Sequence, residues 1–305
     1  MAAQYIKKIA FLHIGFFVFL LTLWILNQSE EVVGKRETIE SEQTENTKIK
    51  LNREETSTKC AYITFISAEK RYIESALVLG LSLAETNSRF DRIVVVSGPL
   101  QLEEKQKKRL EAVNWKVVQK DNVDNPNTLL LADRFKYTYA KLRAWEFDEY
   151  ELVIVLDADM LVQKNIDHLF ADFGSLLAPY SDAPSSKSYY IAAVPDCCDK
   201  FNSGLVLLRP DRATFEHMMK KSNSIVSYDG GDQGFLNVFF ANSWIHLPFS
   251  YNAVQTTFPS RAWDFHTVHV LHYMTYKPWD ILPPEADYLK PLHDVWMDHF
   301  MRLVE

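Results

Sequence analysis

Two aspartates one residue apart, Asp157 and Asp159, close the apolar run VIVLDADMLV at Val153–Val162. Carboxylates that leave a strand at this spacing can turn oxygens toward one hard divalent cation such as Mg, Mn or Ca. The same pair also suits an ordinary turn or helix cap, because Asp is common after strands. A second stretch, DGGDQG at Asp229–Gly234, sets paired glycines between acids. Glycines there let the backbone pass close to a ligand, although a plain glycine turn with solvated acids has the same letters.

The elements around these residues must hold them in place. Val153–Leu156 is a continuous apolar run, the pattern of a parallel strand buried on both faces. Open α/β sheets bind ligands just beyond the carboxyl ends of such strands, where Asp157 and Asp159 stand. Upstream, AYITFIS, YIESALVLGLSLAET, RIVVVSG, QLEEKQKKRLEAV and WKVVQ alternate strand and helix. That alternation predicts a parallel sheet with helices on both faces. FKYTYAKLRAWEF reads as a helix leading into ELVIVLDADM. Downstream come IAAVP, a strand FNSGLVLLRP, a helix from Asp211 to Lys221, a strand VHVLHY and a closing amphipathic helix PLHDVWMDHFMRLV. Trp296 and Phe300 of that last helix are four apart and read as core packing.

With 47% apolar and 13% aromatic residues, the 305-residue chain can bury a substantial core. A formal charge of -7 argues against a nucleic-acid binder, which needs clustered Lys and Arg. Ile9 to Leu26 lacks Asp, Glu, Lys and Arg, and as a helix of about 18 residues it would span about 27 Å, enough for a bilayer. Lys7 and Lys8 precede it and Glu30 and Glu31 follow, so the positive-inside rule leaves residues 1–8 cytoplasmic, a type II orientation. The run is longer than a cleaved signal's apolar core and no A-x-A-like site follows, which favours an uncleaved anchor over 9–26. Residues 27–59 are almost wholly polar, the composition of a solvated stem, and 60–305 form the head. The only sequon, Asn27-Gln28-Ser29, lies so near the membrane that it is expected to stay unused. Three cysteines, Cys60, Cys197 and Cys198, are too few for a disulfide framework; one bridge from Cys60 and plain buried thiols are both open.

Residues 60 to about 280 resemble the glycogenin-like branch of glycosyltransferase family 8. The similar stretches run in family order: SALVLGLSL, YAKLRAW, VLDADMLV with NIDHLF, FNSGLVLLRP, DGGDQGFLN, HLPFSYN and HYMTYKPW. The resemblance implies a GT-A fold, Rossmann-like with a mostly parallel central sheet and helices on both faces. It also implies a retaining enzyme that takes a UDP-sugar donor with Mn2+ and makes an α-linkage.

Position by position, the resemblance makes Asp157, Asp159 and His272 the metal ligands, a donor set that suits Mn. It places Lys141, Lys277 and Arg134 near the donor phosphates, and Phe65, Ser67, Tyr72 and the Ala158 backbone around uracil and ribose. Asn202 and Ser203 would contact the donor sugar, as would Asp229, Asp232 and Gln233. For retention, Asp232 is the candidate nucleophile of a covalent route and Gln233 the support of a front-face route, and the sequence leaves both open.

Two departures from the family pattern matter. Thr275 stands where the family has Gly, and Lys277 follows only two residues later. Ala253 to Leu271 holds no tyrosine, so a glycogenin-type self-glucosylation site is missing there. With the type II anchor, this points to a Golgi membrane enzyme acting on a glycan, glycoprotein or glycolipid of the secretory pathway. The alternatives are a catalytically silent lumenal glycan-binding module and a glycogenin-type glycogen primer. No nucleic-acid partner is expected, and homodimerisation is left open.

Overall fold

The computed structural model describes residues 59–127, 135–181, 188–197, 199–260 and 264–304. The expected tail, the anchor at 9–26, nearly all of the stem, Arg134 and Cys198 lie outside the described residues. Among the described residues no helix is long and apolar enough to cross a membrane.

Seven strands form the main sheet, in the order β3-β2-β1-β4-β7-β6-β8. They are β1 (Cys60–Ile66), β2 (Asp91–Val96), β3 (Lys116–Gln119), β4 (Leu152–Leu156), β6 (Ile191–Pro195), β7 (Phe201–Leu208) and β8 (Trp244–His246). Helices α1 (Arg71–Glu85) and α2 (Glu104–Ala112) make the crossovers between the first three, which pair in parallel with one another and with β4. The expected parallel sheet needs one correction: β7 runs antiparallel to both β4 and β6. Only Asp196–Lys200 separates β6 from β7, too short for a crossover, so the chain must turn back as a hairpin. All eight residues of β7 are buried, as its central place demands.

FKYTYAKLRAWEF is helical but winds as a 3-10 helix at Thr138–Glu146. Tyr139, Ala140, Lys141, Leu142, Ala144 and Trp145 are all buried there. Over nine residues buried on several sides, apolar spacing cannot separate a period of 3.0 from 3.6. Beyond it come α3 (His168–Gly174), α4 (Arg212–Lys221), α5 (Asp232–Phe239) and the closing α6 (Lys290–Arg302). Trp296 of α6 is buried and stacks on Phe300 at 5.3 Å, as the core reading expects.

A small second sheet, order β5-β10-β9, was not legible as such in the sequence. Its strands β5 (Met160–Val162), β9 (Ala253–Val254) and β10 (Val270–His272) have two or three residues each. Elements so short carry too little pattern to predict.

Cys60 is a free thiol, buried at the start of β1. Burial, with the Glu151 carboxylate nearby, pushes the Cys60 thiol from 9.0 up to about 11. A raised folded-state value means that its contribution to stability is complete below pH 9 and lost as pH climbs toward 11. Urea midpoints measured from pH 8 to 11 should therefore fall more steeply for the wild type than for Cys60→Ala. Parallel declines would count against it.

Candidate active site

The metal-ligand candidates meet because two short strands fix their register. Asp157 leaves β4 on a turn in which its N–H donates to the Gly204 carbonyl of β7 at 2.8 Å. Asp159 leads directly into β5. In the β5/β10 pairing His272 stands opposite Met160, and Tyr273 N donates to the Asp159 carbonyl at 3.0 Å. His272 Nε2 then lies 3.5 Å from Asp159 Oδ1 and 3.8 Å from Asp157 Oδ2. One ligand atom from each of the three falls within 4.8 Å of the others, the one such His, Cys, Asp and Glu cluster among the described residues. Two carboxylates and an imidazole at this spacing fit a divalent cation of the first transition row.

The imidazole is oriented from behind. Asn252 Nδ2 donates to Asn202 Oδ1 at 2.8 Å, which leaves Asn252 Oδ1 to accept from His272 Nδ1 at 2.9 Å. Nε2 thus keeps its lone pair on the side of the carboxylates. Gly204 clears the space: a Cβ there would stand 2.5 Å from His272 Cε1. Partners of this kind typically account for 10–100-fold in metal affinity. Asn252→Ala should weaken divalent-cation binding by about that factor in calorimetric titration; unchanged affinity would show that Asn252 does not orient His272.

Two lysines balance the acids. Lys141, buried in the 3-10 helix, places Nζ 2.8 Å from Asp157 Oδ1 and 2.7 Å from Asp232 Oδ2. Burial alone would lower its pKa, but the two carboxylates outweigh burial and hold it above the ordinary value. Lys277 Nζ binds Asp159 Oδ2 and reaches the Tyr273 and Met274 carbonyls at 3.1 Å each. The shortened spacing after His272 therefore still lets Lys277 curl back onto the site. Burial would raise Asp159, yet the Lys277 ammonium holds it well below the usual carboxylate range. For Asp157 burial wins over Lys141, and its pKa is raised.

A cleft of about 500 Å³ opens beside this cluster, lined by Phe65, Ser67, Tyr72, Lys141, Asp157, Ala158, Asp159 and Asp232 among others. Phe65 belongs to β1, Ser67 follows it, and Tyr72 sits in the first turn of α1. The Ala158 carbonyl accepts from Ser75 Oγ of α1 at 2.7 Å, which pins the turn between the two aspartates. Ser203 donates its hydroxyl to Asp232 Oδ2 at 2.8 Å and its N–H to Gln233 Oε1 at 3.1 Å. Thr275 is exposed on the segment between His272 and Lys277.

Two of the expected donor contacts make hydrogen bonds within the protein. Asn202 is buried and takes the Gly204 N–H and the Asn252 amide on its Oδ1, so it supports His272 from behind. Asp229 Oδ1 accepts from Ser227 Oγ and from the N–H groups of Gly231 and Gly234, which ties the loop entering α5. Gly230 in that loop has φ of +76°, a left-handed conformation that glycine adopts without strain. The residues that the sequence reasoning missed are Asn252, Ser75 and Asp196, the last accepting from Gln233 Nε2 at 3.1 Å. Asn252 ends the quoted HLPFSYN stretch, but its letter alone carries no sign of a partner twenty residues on.

The model of the family described as Glycosyl transferase family 8 matches residues 63–282. The chain belongs to glycosyltransferase family 8. Members of that family are glycosyltransferases. Glycosyltransferase family 8 relatives include human glycogenin-1, 32% identical over 256 residues, covering 78% of this chain and 68% of that protein. UDP-glucuronate:xylan alpha-glucuronosyltransferase 2 of Arabidopsis thaliana is 30% identical over 231 residues, covering 72% of this chain. The match spans only 35% of that plant protein's length. The fold is similar to that of the galactosyltransferase LgtC, with a TM-score of 0.55 at 18% identity, covering 77% of this chain and 95% of that one. The GT-A architecture with a mostly parallel central sheet, expected from the family 8 resemblance, is thereby supported, β7 being its antiparallel strand.

Proposed function

We propose that the chain is a Mn2+-dependent retaining glycosyltransferase that moves a hexose or N-acetylhexosamine from a UDP-sugar to a secretory-pathway glycan, glycoprotein or glycolipid. The observation that carries this is the convergence of Asp157, Asp159 and His272 at a cleft flanked by Lys141 and Lys277. A bound divalent cation would offset the charge that grows on the departing diphosphate. Lys277, an ammonium on a flexible stem, would pass from Asp159 to a phosphate oxygen. Phe65 and Tyr72 would wall the nucleoside side of the cleft.

Asp232 Oδ2 is taken by Lys141 and Ser203, so Oδ1 is the oxygen left for the sugar. A carboxylate that already balances a buried ammonium is a weak nucleophile. We therefore assign Asp232 to stabilising positive charge at the anomeric carbon, with attack from the leaving group's own face. Gln233 is held between Ser203 and Asp196 and would meet the donor sugar beside it.

Incubation of the protein from Glu31 onward with Mn and a panel of UDP-sugars should release UDP from at least one donor. UDP-glucose and UDP-glucuronate belong in that panel, because relatives include glycogenin-1 and UDP-glucuronate:xylan transferases. No release or transfer with any donor would overturn the proposal. An accumulating adduct on Asp232 in mass spectra would overturn the front-face assignment alone.

The proposal includes an anchor at 9–26 and a Golgi lumenal head, supported by the uncharged apolar run behind Lys7 and Lys8. Protease protection of the head in intact microsomes tests it, and a cytosolic head would overturn it. The likeness to glycogenin-1 favours a second reading, a glycogen primer. A mass increase of the purified protein by hexose units on incubation with UDP-glucose alone would establish that reading instead.

A further inference from the structure

The segment that carries His272 and Lys277 ends in a turn, closed by Asp280 N donating to the Lys277 carbonyl at 2.9 Å. Trp279 projects from that turn between two rings. It meets Tyr72 edge-on at 5.4 Å and 78°, and Trp296 edge-on at 5.9 Å and 62°. Tyr72 lines the cleft, whereas Trp296 is buried in α6 and backed by Phe300. The row of rings therefore runs from the cleft wall to the C-terminal helix, with Trp279 in the middle.

Helix α6 lies beyond residue 282, where the family match ends. It grips the same segment at two more points. Tyr273 Oη donates to the Leu292 carbonyl at 2.7 Å. Gln255 Nε2 donates to the Tyr276 carbonyl at 2.7 Å, and Gln255 Oε1 accepts from His293 Nε2 at 3.2 Å. Residues 273, 276 and 279 are thus pinned to α6, while Lys277 between them points to Asp159. On the other side of the turn Arg71 pairs with Asp280 at 3.4 Å, an exposed contact of little strength. Among the side chains in these contacts, Trp279 joins α6 to a ring of the cleft wall, Tyr72.

We propose that Trp279 is a positioning residue for the donor: seated between Tyr72 and Trp296, it fixes the nucleoside wall and the reach of Lys277 together. The inference rests on the UDP-sugar reading of this cleft. Because Trp279 acts on binding and not on the reacting atoms, its loss should appear in KM with kcat nearly unchanged.

The test compares wild type, Trp279→Leu and Trp279→Phe on the full chain, by steady-state kinetics and by calorimetric titration of UDP with Mn. Trp279→Leu, which keeps apolar bulk but removes the ring, should raise KM for the donor and Kd for UDP about tenfold, with kcat within about twofold. Trp279→Phe, which restores an aromatic edge, should recover most of that loss. An unchanged KM in the Leu variant, a fall in kcat alone, or a Phe variant no better than Leu would overturn the proposal. If the Leu variant fails to fold, tryptophan emission decides. UDP with Mn should change the emission of the wild type, and Trp279→Phe should abolish most of that change while still binding UDP; a change that persists in the Phe variant overturns the proposal. A wild type that binds no UDP removes the donor reading itself, whereas equal binding by wild type and Leu variant removes only the role of Trp279.

Discussion

Asp159→Asn should lower kcat/KM for the donor by about 10³-fold or more while leaving the protein folded. Asp159 is the buried carboxylate that joins the cluster's two arms: it lies 3.5 Å from His272 Nε2 and pairs with Lys277. The neutral amide keeps the shape and can still accept from Lys277, but it brings no charge to a cation. Losing about 4 kcal/mol of electrostatic stabilisation of a departing diphosphate corresponds to about 10³ in rate. Calorimetric titration with Mn should show binding lost, UDP release should fall to background, and the melting temperature should move by only a few degrees. Activity within tenfold of the wild type would mean that the Asp157, Asp159 and His272 cluster is not the metal site.

Lys141→Met is expected to fail earlier, at folding. Lys141 is buried between Asp157 and Asp232, and its removal leaves two carboxylates at the cleft without their shared cation. Removing one partner of a buried charged group typically costs about 3–5 kcal/mol, and a loss of that order is expected in urea unfolding at neutral pH. The pH dependence follows from the signs. The pKa of Lys141 is raised above 10.5, so its stabilisation is complete below that value and lost only above it. In the variant, an orphaned carboxylate relieves its cost by taking a proton, so the gap to the wild type should narrow as pH falls toward about 5. A gap that stays constant from pH 8 to 5 would show that the lysine stabilises by packing and not by charge. Mn should also recover part of the variant's stability through Asp157, since a cation there replaces the missing ammonium.

Much of the site was legible residue by residue. Asp157 and Asp159 could be placed because an apolar run of period-free strand type ends on them, and a strand end is where open sheets bind ligands. Lys141, Phe65, Ser67 and Tyr72, which the resemblance assigned to the donor, line the cleft beside Asp157 and Asp159. Asn202, near the start of β7, and Asp229, in the loop before α5, are held by hydrogen bonds that the sequence does not announce, and only the packing behind His272 and under α5 reveals them. Asn252, Ser75 and Asp196 escaped notice because each acts through one hydrogen bond to a residue far away in sequence.

By itself the sequence determined the alternation of strands and helices, the strand that carries the aspartates and the order of motifs along the head. Local propensity and apolar period decide these, and they need no knowledge of distant contacts. Only the tertiary structure decided that β7 runs backwards between β4 and β6, that β5 and β10 pair with His272 opposite Met160, and that α6 holds Trp279 against the cleft wall. A three-residue strand has almost no pattern of its own, and a slip of one residue in its pairing would turn His272 to the other face. The Asp157, Asp159 and His272 cluster therefore depends on the register of β5 and β10, which long-range packing sets and local sequence does not.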